Sequence, residues 1–248
     1  MIRGLPVPDS PQVRLSRQGV LRGARALLPL CPIVALLGMT FGVAARQEGL
    51  APWMAVLMSG VVFAGGSQFV ALSLWTAPIP LGALWLATLA VNARHILLGA
   101  VLHPWFKALP RWQRYGAVSV LSDANWAWSQ QAHARGERDA GVLFGGGVVM
   151  WVTWVLGTAL GVFLGQAIGQ PQRLGLDVLM VAFFATLLVD TWRGRDDLLP
   201  WVTAGATSLL VLWLFPHHNW HVLAGALAGA AAGLLHDSAG ERHQRRQA

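Results

Sequence analysis

The chain has 248 residues, of which 55% are hydrophobic and only 12% charged, against roughly 25% charged in an average soluble domain. That excludes a soluble enzyme domain and leaves one polytopic membrane domain. The basic balance, 18 Lys and Arg against 11 Asp and Glu, does not point to nucleic acid. The arginines sit in the tails and in short loops between apolar runs, which is a topology signal. A single cysteine, Cys31, excludes an internal disulfide.

Residues 1–25 contain Pro6, Pro8, Pro11 and five arginines, with no apolar core of signal-peptide length, and are expected to form a cytoplasmic tail. A transmembrane domain is expected over 26–236 and a basic cytoplasmic tail over 237–248. About 20 apolar residues cross the hydrocarbon. Segment one runs Ala26 to Ala45, with Pro29 and Pro32 in its first turns and Gly38 and Gly42 as a small-residue pair for close helix contact. Segment two runs Met54 to Trp75, interrupted at Gly65-Gly66-Ser67-Gln68, where a kink or unwound turn must turn its freed backbone groups to protein or water.

Segment three, Ile79 to Leu102, carries Asn92, Arg94 and His95 at its centre. From His103 to Tyr115, Trp105, Phe106, Leu109 and Trp112 alternate with Lys107, Arg111 and Arg114, which predicts a short interfacial amphipathic helix. Segment four, Gly116 to about His133, is the least apolar, with Ser122, Asp123 and Asn125, and needs neighbours for its polar face. Segment five, Val142 to Gly165, repeats glycine at 157, 161 and 165. Segment six covers Leu174 to Trp192, with Asp177 near one end and Asp190 near the other; segment seven Leu198 to Phe215; segment eight Val222 to His236, with Gly225, Gly229 and Gly233. Trp53, Trp75, Trp105, Trp112, Trp192, Trp201 and Trp220 fall near span ends, where an amphipathic ring sits at headgroup level.

The expected fold is therefore an all-α transmembrane bundle of about eight spans with a broken helix near Gly65-Gly66. A re-entrant segment two would leave seven. Eight spans with both termini cytoplasmic place twelve arginines inside and five basic residues outside, with Arg94 in the membrane. Met39-Thr40-Phe41-Gly42-Val43 resembles Thr158-Ala159-Leu160-Gly161-Val162, a hint of internal repetition.

An ionisable group at membrane depth costs a few kcal/mol or more unless it faces protein or a water-filled cavity. Arg94 accordingly either pairs with an acid, Asp123 being the obvious partner by depth, or attracts a ligand. His95, three residues from Asn92 and on its helix face, is either a proton carrier or a satisfied hydrogen-bonding residue. Asp123, beside Ser122 and Asn125, is the best candidate for proton coupling, unless its helix begins later and leaves it at the interface. Ser67 and Gln68, following Gly65 and Gly66, offer hydrogen bonds to a polar solute as broken helices do. The competing reading is a packing kink. A Ser67–His95 dyad of an intramembrane hydrolase is the weakest alternative, and no spacing of His, Cys and Asp suggests a metal site.

Arg22-Gly23-Ala24-Arg25, Val62-Phe63-Ala64-Gly65-Gly66-Ser67-Gln68-Phe69, Val91-Asn92-Ala93-Arg94-His95 and Leu121-Ser122-Asp123 occur in this order. With them, the chain resembles the AzlC family of branched-chain amino acid permeases from about Arg22 to His236. The resemblance implies export of neutral branched-chain amino acids across the bacterial inner membrane, with a small AzlD-like membrane subunit as partner and no cofactor. Under that reading Gly65, Gly66, Ser67, Gln68, Asn92 and Arg94 contact the substrate, His95 and Asp123 move a proton, and Ser122 and Asn125 support them. Phe63, Phe69 and Ile96 would accept an aliphatic side chain. The rival class is a non-transporting membrane scaffold that binds a partner.

Overall fold

A computed structural model describes residues 13–167, 194–216 and 220–247, with Ala185, Val189 and Trp192. Segment six, with Asp177 and Asp190, lies almost wholly outside the described residues. The described chain is helical: α1 (Arg17–Leu27), a 3₁₀ turn (Leu28–Leu30), α2 (Cys31–Gln47), α3 (Pro52–Val61), α4 (Gly65–Ser73), α5 (Leu81–Phe106), α6 (Arg111–Ser119), α7 (Asp123–Ala134), α8 (Gly141–Ala167), α9 (Leu198–Leu214) and α10 (Trp220–Gln247). Among the described residues, three helical stretches are long and apolar enough to cross a bilayer: Arg17–Gln47, Leu81–Phe106 and Gly141–Gly165.

The described residues fall into two compact units, one of 13–65 and 94–167, the other of 66–93 and the described part of 170–248. In the first, α8 is the spine, touching α1, α2, α3, α6 and α7. Helices α1 and α2 run parallel to it, and glycines set the spacing. A Cβ on Gly23 would lie 1.9 Å from the Val142 carbonyl oxygen, and one on Gly145 1.9 Å from that of Val20. Further along, a Cβ on Gly42 would lie 2.2 Å from the Thr158 oxygen and one on Gly161 2.0 Å from that of Met39.

No side chain fits at such distances, so backbones touch where small residues face each other. The contacts are reciprocal: the two similar stretches, Met39–Val43 and Thr158–Val162, lie against one another as two copies about an axis along the helices would. Because the helices are parallel, residues 13–16 and the loop at 135–140 lie at the same end of this unit, where the backbone of Arg14 pairs with that of Asp139.

That end is fastened by Asp139, which is only 2% exposed. Its Oδ1 accepts from the backbone N–H of Ser16 (3.0 Å) and of Gly141 (2.9 Å), and the Ser16 hydroxyl donates to Oδ2. The Arg22 guanidinium stands 3.6 Å from Oδ2 and 3.0 Å from Glu137 Oε2. One carboxylate thus caps the N-terminal ends of α1 and α8 together, where the helix dipoles favour negative charge. The helix begins at Arg17, nine residues before the point at which segment one was expected to start.

Two expected spans are broken helices. Segment two unwinds at Val62, Phe63 and Ala64, not at Gly65-Gly66-Ser67-Gln68, which form the first turn of α4. The reason is tertiary. The Gly60 carbonyl accepts from the Trp151 indole N–H (3.0 Å), and a Cβ on Gly65 would stand 2.8 Å from the Trp154 ring. The glycine pair marks where α8 presses in, one turn after the helix stops. Segment four is likewise α6 and α7 with Val120, Leu121 and Ser122 unwound between them.

The stretch from His103 to Tyr115 is not one interfacial helix: α5 runs on to Phe106, and α6 starts at Arg111. Trp105, Phe106 and Leu109 are buried in a core with Leu102, Ala117, Leu121, Ala140, Val142 and Leu143. Trp105 is therefore a packing residue and no headgroup anchor.

In the second unit, α9 and α10 pack antiparallel. Gly225 and Gly229 meet Ala204, Ser208 and Pro200, and the Ser208 hydroxyl donates to the His221 carbonyl (2.9 Å).

Candidate functional site

Helix α5 is continuous through Asn92, Arg94 and His95, so Arg94 is the fourteenth of its 26 residues, at mid-span. Arg94 Nη2 lies 3.0 Å from Asp123 Oδ2, the pairing expected from sequence. The two side chains are 36% and 45% exposed, and Arg94 Nε is buried with no hydrogen-bond partner. One part of the fork holds Asp123 and another is an unused donor.

Asp123 is the first residue of α7, not the middle of a continuous span. The α7 N-terminus is built by a reciprocal cap: Ser122 Oγ accepts from the Asn125 N–H, and Asn125 Oδ1 accepts from the Ser122 N–H (2.7 Å). An acid in the first turn of a helix is favoured by the unpaired N–H groups there. Asp123 is thus held from two sides, by the helix end and by Arg94.

Asn125 is completely buried. Its Nδ2 donates to Val120 O (2.9 Å) and Leu143 O (3.3 Å), replacing backbone bonds lost at the break and tying it to α8. Gly147 makes room, since a Cβ there would lie 2.3 Å from Val120 O. The expected supporting pair, Ser122 and Asn125, therefore acts as a structural staple. Asn125→Ala is expected to strand buried polar groups and cost about 2–4 kcal/mol, lowering the thermal unfolding midpoint well beyond what Ser119→Ala does.

Helices α5 and α7 run parallel across this region. The Trp126 indole donates to Leu98 O (3.2 Å), and one end of the seam closes with the Trp105 and His133 rings stacked at 4.7 Å. Gln130, on the same α7 face as Asp123 and Trp126, has a buried Nε2 with no partner. Sequence reading missed this seam, although the 123, 126, 130, 133 spacing marks one helix face.

The other predicted residues belong elsewhere. Ser67 and Gln68 are buried in the first turn of α4, and Asn92 lies in the part of α5 assigned with them to the second unit. His95 is half-buried beside Arg94. Ile96 is 70% exposed, while Phe69 is buried. Among the described residues, no group of three or more His, Cys, Asp or Glu could hold a metal ion.

The family model described as AzlC protein matches residues 29–168, which contain all of these positions. The inner membrane protein YgaZ of Escherichia coli is 26% identical over 91% of this chain and 94% of its own length. The branched-chain amino acid transport protein AzlC of Bacillus subtilis is 27% identical over 76% of this chain and 74% of its own. A membrane protein of Archaeoglobus fulgidus is 31% identical over 86% and 91%. No solved structure matches the chain.

Proposed function

The chain belongs to the AzlC family of membrane proteins, and from that premise we propose that it is a permease subunit exporting branched-chain or similar neutral amino acids across the bacterial inner membrane. Export is coupled to protons, and a small AzlD-like membrane subunit works beside it. The relatives' names supply the substrate class: one of them is a branched-chain amino acid transport protein.

The observation that carries the reading is the half-open Arg94–Asp123 pair. A pair kept only to join helices at mid-span is best sealed, because charge exposed to hydrocarbon is costly. Side chains exposed by more than a third at that depth need water or a polar solute beside them. The unused Arg94 Nε–H is a donor suited to a carboxylate. In this reading Arg94 takes the substrate carboxylate and loosens its hold on Asp123, which then accepts a proton, with His95 passing it on. By the same reading, Asn92 and Gly65 to Gln68 contact the substrate. One group of helices rocking against another would expose it to either side in turn.

Radiolabelled leucine efflux from proteoliposomes, with and without the small subunit and with and without a proton gradient, tests this. The expected result is efflux that a gradient accelerates. Correctly folded protein giving no flux under any of these conditions would favour the scaffold reading instead.

A further inference from the structure

We propose that the outer face at the start of α1 is a binding site for the headgroup of an anionic phospholipid. Arg14, Gln18, Leu21, Arg22 and Arg25 line an open groove of about 340 Å³ there. Two of its three arginines nearest the helix start are fixed by the fold. The backbone of Arg14 is paired on both sides, its N–H donating to Arg138 O (3.2 Å) and its carbonyl accepting from Ala140 N–H (2.7 Å). Arg22 is held by Glu137 and Asp139.

Those two carboxylates face the groove region and are consumed. Glu137 pairs with Arg22 and accepts from the N–H groups of Arg138 and Asp139, and Asp139 caps two helices. Among the described residues, Arg14 and Arg25 have no acidic partner, so the groove keeps uncompensated positive charge.

The surface farther along the helix selects the ligand. Spacing of 18, 21, 25 and 28 keeps one face, and on it Leu21 at 55% and Leu28 at 51% stand exposed beside the arginines. Cationic donors bordered directly by bare apolar surface, at the mouth of a spanning helix, match a phosphate headgroup and its acyl chain. A free phosphate or nucleotide would use the arginines but gain nothing from Leu21 and Leu28. Each arginine near an anionic membrane surface adds about one kcal/mol of attraction, which makes the groove a retention site for lipid.

The full-length protein in detergent is titrated with phosphatidylglycerol, phosphatidylethanolamine or inorganic phosphate, following bound lipid by native mass spectrometry and the thermal midpoint. Phosphatidylglycerol is expected to be retained and to raise the midpoint, with the other two ineffective. Arg14→Gln with Arg25→Gln should weaken it about thirty-fold, Arg25→Gln alone about fivefold, and Arg135→Gln with Arg138→Gln should change little. Leu21→Ser with Leu28→Ser should weaken the lipid as well. Equal retention of phosphatidylethanolamine, displacement by inorganic phosphate, or full retention in the folded Arg25→Gln variant would each overturn the site.

Discussion

Arg94→Ala is expected to lower leucine transport about a hundredfold or more while the protein still folds. The variant removes the arginine at the centre of α5, leaves Asp123 unpaired at membrane depth, and deletes the spare Nε donor. Losing a hydrogen bond to a charged group typically costs about 1.5–3 kcal/mol, and losing the two that a guanidinium gives a carboxylate reaches roughly a hundredfold or more. The exchange Arg94→Asp with Asp123→Arg separates the two duties of the pair. It should restore the thermal midpoint lost in either single variant, because a cation and a carboxylate again face each other across α5 and α7. It should not restore transport, because the guanidinium now projects from the α7 end. Full recovery of flux would mean that the pair only joins helices. Arg94→Lys keeps the charge without the fork, and should hold Asp123 while losing most of the substrate affinity.

Gly161→Leu is expected to prevent folding altogether. A Cβ at this position would already lie 2.0 Å from the Met39 carbonyl oxygen, so α2 must move off α8 along the whole parallel contact. Overpacking of this kind costs upwards of about 3 kcal/mol in a protein whose total stability is on the order of 5–15 kcal/mol. Gly165→Ala is the matched control. Its added Cβ would meet nothing closer than 3.4 Å, and the folded yield should stay near that of the parent. Equal loss in both variants would show that glycine matters there for helix geometry and not for contact.

The two outcomes rest on features of differing legibility in the amino-acid sequence. The Gly38/Gly42 and Gly157/Gly161 stripes are plain at four-residue spacing, and they do meet helix backbone across the α2–α8 contact. Arg94 and Asp123 are legible as partners, since each is the lone charge at the depth of its expected span and charge at that depth must be answered. The breaks are harder to read. Gly65-Gly66 suggests unwinding, yet the helix ends earlier because two tryptophans from α8, some ninety residues away, take up the freed carbonyl and fill the space over Gly65. Local composition carries no trace of that.

The break before α7 does leave a signal. Ser122-Asp123-Ala124-Asn125 is a helix-start pattern set inside a stretch that hydropathy treats as a span. A window of about 20 residues, the length needed to cross the hydrocarbon, averages such a cap away. Asp139 is invisible for a different reason: an acid in a short charged loop looks solvated until the N-terminal ends of two helices are brought onto it.

Whether the polar groups at mid-span adjoin water and substrate decides between a permease and a scaffold. With Cys31→Ser as background, Asn92→Cys, His95→Cys and Asp123→Cys can be challenged in membranes with a small, charged thiol reagent, with and without leucine, and compared with Leu89→Cys on the exposed apolar surface of α5. The three polar positions are expected to be modified and to be protected by leucine, while Leu89→Cys stays inert. Polar positions that resist the reagent in folded protein, or react at a rate leucine does not alter, would contradict the permease.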